Sequence, residues 1–368
     1  MDSKKYLADW YDEIGFLEQR EDGSQILNGV PIPMLQSDII EEIKHPDKDD
    51  RLDVGSIFTA MCIVVGLDEK FPYAQNYLTF LKRTEDDTVG AIQYRMVEAA
   101  ERGEVERLYL LAKAKEAVRG NIDDRLETTY AMEGIYNRRW KEDRGESSDD
   151  LLKEIMDRYE KIIEDDPENA DAHMSLGRIY QARAFYIKAK FYYEKALQLT
   201  SDPDLKDALR ECIDDVHEPA AIDAARTYLH YGRYEDALKS IGEVESQYAD
   251  PGASNHIKGM AYYGMGAYDR AVEYLREAVR HSREADVLND YAIALAANEN
   301  EKEAIETLAE VIEMEPENRT ALMNRGILYY REKNYPAALV DFERAYRLVA
   351  SDELWELIEQ TRKRSEDM

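Results

Sequence analysis

Small and large apolar positions recur along the second half of the chain at one fixed set of spacings. Gly177 is followed twelve residues on by Ala189, sixteen on by Tyr193 and nineteen on by Ala196. The same offsets lead from Ala225 to Ala237, Ile241 and Val244, and from Gly259 to Ala271, Leu275 and Ala278. They recur from Ala292 to Ala304, Leu308 and Val311, and from Gly326 to Ala338, Phe342 and Ala345. The last four leading residues are 34, 33 and 34 positions apart. Offsets of three and four share one helical face, and each unit is broken near its middle by "YGRYEDA", "GMGAYDRA" or "REKNYPAA". The pattern therefore predicts pairs of antiparallel helices. A small residue on the first helix admits the second, and a large residue one turn away fills the remaining space. One hairpin cannot bury both faces, so neighbouring units must stack into a solenoid. Pro316, in "EMEPEN", sits where one unit hands over to the next and cannot continue a helix interior.

With these positions in place, residues 170–352 resemble five units of the tetratricopeptide repeat family, whose unit is 34 residues long. The resemblance implies an all-α fold: a right-handed superhelical solenoid of antiparallel helix pairs, with the first helices lining a concave groove. Two positions depart from the family pattern. Lys258 and Arg325 precede the small residue of the first helix, where a leucine-like residue is preferred, and predict looser packing in those two units. In the aromatic-rich first unit, Tyr180 and Tyr193 fall on packing positions, and Phe185 and Tyr186 fall at the turn.

The rest of the chain departs from the strict period. Between Gly177 and Ala225 lie 14 residues more than one unit, the segment 204–217, bracketed by Pro203 and Pro219. Its apolar stripe predicts an inserted helix and a bend or break in the two-helix register. Residues 353–368 predict a C-terminal capping helix, with Ser351 as N-cap and Arg362, Lys363 and Arg364 against its C-terminal dipole. Residues 85–169 predict degenerate helical pairs, with a turn at "ERGE" and a long polar loop at "KEDRGESSDD". Residues 1–84 predict a mainly helical N-terminal cap or small domain, with helices over 37–44, 54–66 and 72–82. Asn28-Gly29 signals a hairpin near 25–34, and Pro31 and Pro33 confine any following strand to an edge.

Charge narrows the function classes. The formal net charge is −30, which disfavours phosphate backbones and anionic lipid surfaces. Residues 1–84 hold 16 acidic and 9 basic residues and no basic recognition helix, against direct DNA binding. Only two cysteines occur, Cys62 and Cys212, without a C-x-x-C pair, which suits a reducing cytoplasm. The longest apolar run, Val54–Leu67, is too short for a membrane span.

The motifs of chemistry are missing: no H-E-x-x-H, P-loop, G-x-G-x-x-G or G-x-S-x-G occurs. The expectation is a non-enzyme without cofactor or metal. What remains is the groove that the resemblance implies. Positions three before, one after and four after each small residue share one face of the first helix. They name Met174, Arg178 and Gln181, then Ile222, Arg226 and Leu229, then His256, Met260 and Tyr263. The last two units add Asn289, Ile293 and Ala296, then Met323, Ile327 and Tyr330. No carboxylate is among these fifteen, which sets a neutral-to-basic inner face against an acidic exterior. Methionine and tyrosine suit adaptable contacts, and Arg178 and Arg226 suit acidic side chains or a terminal carboxylate. The lysines of the clamp that some family members use for chaperone termini are absent, so that activity is not carried over. The expected partner is a protein or peptide, with self-association left open. The alternatives are a peptide-sensing regulatory protein and a non-catalytic subunit of an enzyme complex.

Overall fold

The computed structural model describes residues 7–18, 27, 29–44, 53–143, 149–244 and 251–367. They are predominantly α-helical. The chain forms two compact units, Met1–Leu176 with Lys195–Ser201, and Gly177–Glu194 with Asp202–Met368.

The first unit opens with a short helix α1 (Ala8–Asp12) and two strands, β1 (Ile14–Leu17) and β2 (Ile32–Leu35), paired antiparallel. This differs from the hairpin expected across Asn28-Gly29. Asn28 itself lies outside the described residues. Gly29 takes φ 86 and the Val30 N–H donates to the Leu27 C=O at 3.1 Å, so a turn is present there. The partner of β2, however, is a strand begun 18 residues earlier, Ile14 against Ile32 in start position. The physical reason lies in β2, whose four residues are all buried and need a partner on a packed surface.

Helices α2 (Gln36–Lys44), α3 (Val54–Leu67) and α4 (Ala74–Leu81) follow, then a 3₁₀ turn (Lys82–Thr84). Ten of the 14 residues of α3 are buried, so this helix runs through the core rather than across its surface. Asp53 starts it by accepting hydrogen bonds from the Gly55 and Ser56 N–H groups at 3.3 and 2.8 Å. Beyond it, α5 (Glu85–Glu101), α6 (Val105–Val118), α7 (Ile122–Asp143) and α8 (Asp149–Asp165) pack in sequence order. The α5–α6 turn falls in "ERGE", with Gly103 at φ 69. Residues 144–148 of the polar loop lie outside the described residues.

The α6–α7 contact encloses charge. Asp124 is fully buried and accepts from Arg119 Nε and Nη2 at 2.8 and 2.6 Å. Buried Lys115 stands 3.4 Å from Asp124 and donates to Glu127 at 2.6 Å and Gln93 at 2.5 Å. Burial pushes the Asp124 carboxyl up, but hydrogen bonding and charge from Arg119 and Lys115 outweigh it and hold the group below the usual range. A depressed carboxyl contributes stability above its unfolded value, about 3.9, and loses it as pH falls through the folded value. Asp124→Asn is therefore expected to lower the melting temperature at neutral pH. Melts recorded from about pH 5 down to about pH 2 should also vary less with pH than those of the parent chain. An unchanged acid dependence would contradict this role.

Helices α9 (Ala170–Ala182) and α10 (Tyr186–Leu199) are shared between the two units. Further on come α11 (Pro203–His230), α12 (Tyr234–Gly242), α13 (Pro251–Gly264), α14 (Tyr268–His281), α15 (Ala285–Ala297) and α16 (Glu301–Met314). The chain ends with α17 (Arg319–Arg331), α18 (Tyr335–Leu348) and α19 (Asp352–Glu366). The small-to-large pattern is the packing seam. A Cβ added at Gly177 would stand 2.6 Å from the Tyr193 ring, and one at Gly326 would stand 2.6 Å from the Phe342 ring. Leu275, Leu295, Leu308, Leu322, Phe342 and Ile358 belong to one continuous core.

Two expectations change here. The inserted segment 204–217 does not form a helix of its own, because α11 continues through Pro219 for 28 residues. An interior proline removes one backbone hydrogen bond, but helical neighbours on both sides hold the backbone. Ala220, Ala221 and Ala225 beyond it are buried, which anchors the continuation. The units containing Lys258 and Arg325 are not loosely packed at those residues. Arg325 makes a bidentate pair with Asp341 of α18, both bonds 2.8 Å, and Lys258 Nζ lies 5.6 Å from the Tyr274 ring centre. Both partners sit sixteen residues on, at the position before the large residue of the second helix.

Candidate functional site

The first helices α13, α15 and α17, with Leu308 of α16, line an open, mainly apolar cavity of about 220 Å³. Tyr263 of α13, Ile293 of α15 and Ile327 of α17 line it, with Ala292, Ala296 and Ala297 as its small-residue floor. The space exists because three alanines on α15 stand between larger side chains on both neighbours. Ile327 is 42% exposed, so part of its side chain is open to solvent beside the cavity.

Asn324 and Arg331 are polar groups in its lining, and further polar contacts join the same helices. Asn324 Nδ2 donates to Asn289 Oδ1 at 3.1 Å, joining α17 to α15. His256 Nε2 and Asp290 Oδ2 stand 2.7 Å apart, joining α13 to α15. Burial pushes the Tyr263 phenol up, with smaller contributions from Tyr268 and Asp290. Arg331, at the cavity edge, pairs with Glu301 at 2.8 Å. Asp290 adds a carboxylate that the chosen positions do not sample, being one residue beyond Asn289. The face is thus less one-signed than its fifteen sampled positions indicate.

The other sequence-chosen residues divide by surroundings. Met260, Met323 and Tyr330 are partly buried against the core, and Tyr330 packs edge-on to Tyr335 at 5.4 Å. Ile222 and Leu229 pack on the cluster of Ala225, Ala237, Ile241 and Ile257. Gln181 accepts a 2.6 Å hydrogen bond from the Tyr193 hydroxyl. Met174 is half-buried, and Arg178 is exposed within electrostatic reach of Tyr193 and Cys212. Arg226 is exposed and makes no hydrogen bond or ion pair among the described residues. None of the residues from Met174 to Met260 lines the cavity, which gathers Tyr263, Ile293, Ala296 and Ile327 from the chosen set.

A larger cleft, about 380 Å³, lies between α10, α11 and α12 and was not anticipated. Its floor is Ala220, Ala221, Ala224 and Ser240, with exposed Ile187 and Phe191 beside it. Ala224 and Ser240 occupy the positions that hold Lys258 and Tyr274, or Arg325 and Asp341, in later units. Two small residues there leave the space empty, a signal that comparison of the units could have supplied. Among the described residues, no group of three or more His, Cys, Asp or Glu side chains could hold a metal ion. No helix among them is long and apolar enough to cross a membrane.

Tetratricopeptide repeat models match residues 170–203, 258–311 and 292–353. The paired helices and the small-to-large seam coincide with these segments, which are tetratricopeptide repeats. It is similar to a tetratricopeptide repeat protein 36 homolog of Drosophila melanogaster, 26% identical over 38% of this chain and 77% of that protein. The homolog of Drosophila pseudoobscura pseudoobscura is 31% identical over 31% of this chain, which spans 58% of that relative. Among solved structures, YrrB, described as a TPR protein with an unusual peptide-binding site, is 20% identical. The match covers 55% of this chain and 97% of YrrB, with a TM-score of 0.38.

Proposed function

We propose that this chain is a non-catalytic scaffold or adaptor that holds a peptide or protein segment against the inner face of its first helices. The observation that carries this reading is the apolar cavity where Tyr263, Ile293 and Ile327 converge from three successive first helices. Its volume suits one or two apolar side chains of a partner, and half-exposed apolar surface of this kind gains most when covered. Asn324, held in place by its bond to buried Asn289, supplies an amide group at the cavity for a partner's backbone. Arg226, exposed and within electrostatic reach of Asp223, supplies a charge for acidic side chains or a terminal carboxylate. The remaining groove positions, from Met174 and Arg178 to Met323 and Tyr330, belong to the same proposal. A cytoplasmic setting is part of it, consistent with two unpaired cysteines.

The test is affinity capture from native extract, followed by titration of each captured protein against the parent chain and a Tyr263→Ala, Ile327→Asp variant. Ile327 is exposed enough that its replacement should leave the far-UV spectrum intact. The variant is expected to weaken groove-dependent partners by at least about tenfold, the effect of removing a central apolar contact. Unchanged affinity for every partner would remove the groove assignment. Capture with a transcriptional or enzymatic complex would select the regulatory or subunit reading.

A further inference from the structure

Among the described residues, the sheet of the first unit carries an edge with unused hydrogen-bonding capacity. Its register pairs Ile14 with Leu35, Gly15 with Met34, Phe16 with Pro33 and Leu17 with Ile32. The Gln36 N–H donates to the Glu13 C=O at 2.9 Å. In an antiparallel ladder the bonded pairs alternate, so Gly15 and Leu17 face β2 with their backbone groups. The N–H and C=O of Ile14 and Phe16 then point away from it. Pro33, opposite Phe16, has no N–H, which leaves the outer side of β2 without one donor. The outer side of β1 keeps its donors and acceptors, and they make no other hydrogen bond among the described residues. An open edge of this kind is a template for another strand.

The surroundings limit what that strand can be. Phe71 lies 5.4 Å from Tyr11 and 6.1 Å from Phe16 between ring centres, and Tyr73 meets Phe16 edge-on at 5.7 Å. Tyr73 is 44% exposed and holds φ 63, a conformation that L residues seldom adopt. These rings form an apolar shelf beside the edge. Asp9, Asp12, Glu13 and Glu18 flank β1, and residues 7–18 contain no lysine or arginine. None of these four carboxylates makes an ion pair among the described residues.

We propose that the outer edge of β1 receives an extended basic segment of another protein as a third strand. Backbone hydrogen bonds to Ile14 and Phe16 require an extended conformation. Alternate apolar side chains settle on the shelf of Phe16, Phe71 and Tyr73, and lysine or arginine residues between them meet the acidic flank. The site shares no residue with the cavity of Tyr263 and Ile327, so either can fail without the other.

The probe is a fluorescein-labelled peptide of about eight residues alternating lysine and valine, titrated against the full chain by fluorescence anisotropy. Saturable binding is expected. Peptides N-methylated at every second residue are made in both registers, and the register that loses its edge bonds should bind at least about tenfold more weakly. Phe16→Pro deletes an outward donor while sparing the bonds to β2, and it should cause a similar loss. Asp12→Lys with Glu18→Lys leaves the edge backbone unaltered and should also weaken binding, which keeps the test decisive if Phe16→Pro misfolds. The Tyr263→Ala, Ile327→Asp variant should bind as the parent does. No binding, equal binding of both methylated peptides, or loss on the groove variant alone would overturn the proposal. So would a dimer in sedimentation that Phe16→Pro abolishes, because the edge would then serve a second copy.

Discussion

Asp341→Leu is expected to destabilise the second unit by about 3–5 kcal/mol, the range for removing one member of a buried ion pair. The Asp341 side chain is 1% exposed and that of Arg325 16%, and two parallel 2.8 Å bonds join them. The Asp341 carboxylate raises the Arg325 guanidinium above its usual value. Without the carboxylate, a charge remains in a seam that water reaches poorly, 5.7 Å from the Tyr329 ring. Much of the effect is thus the isolated arginine rather than a lost attraction. Arg325→Leu combined with Asp341→Leu should recover most of the stability, because a leucine-like residue belongs at this place in the repeat. Urea denaturation followed by far-UV circular dichroism measures all three variants. A single variant with an unchanged midpoint, or a double variant as weak as the single one, would rule out this account.

Gly66→Ala should be comparably severe in the first unit. Helices α3 and α6 touch backbone to backbone there: an added Cβ would stand 2.1 Å from the Leu110 carbonyl oxygen and 2.8 Å from its carbonyl carbon. A flexible side chain could turn aside, but a backbone carbonyl inside α6 cannot move without shifting the helix. The expected loss is about 3 kcal/mol, at the upper end of the range for overpacking a core. Gly90→Ala is the control, since a Cβ at that helical position meets nothing within 4 Å and should be neutral or slightly stabilising. Thermal unfolding of the two variants compares them directly, and equal melting temperatures would contradict the close helix contact.

The legible part of the fold was the part made of repeated local contacts. Each small residue meets a large one sixteen positions on, within one hairpin, so Gly326 and Phe342 announce their contact through spacing alone. The same locality exposed Ser351 as the N-cap of α19, where its hydroxyl accepts the Leu354 N–H at 3.3 Å. Reading single positions against a family preference was less successful. Arg325 departs from the family pattern but is matched by Asp341 opposite it, and Lys258 by the Tyr274 ring. A compensating pair is invisible when each residue is judged by itself.

Within the candidate site, helical phase placed Tyr263, Ile293 and Ile327 on one face, but it could not say which of the fifteen residues would border open space. That depended on three alanines of α15 standing between α13 and α17, and on Met260, Met323 and Tyr330 turning into the core. The Asp290 carboxylate entered through a contact with His256 across two helices, 34 positions apart in the chain.

By itself the sequence determined the repeated helix pairs, their period and the acidic excess, because each depends on composition or on contacts inside one hairpin. Tertiary structure alone decided that β2 pairs with β1, that α11 runs on through Pro219, and that Lys115, Arg119 and Asp124 share a buried network. Those outcomes turn on which distant surfaces meet and how much apolar area and charge each must cover. No local spacing records that balance.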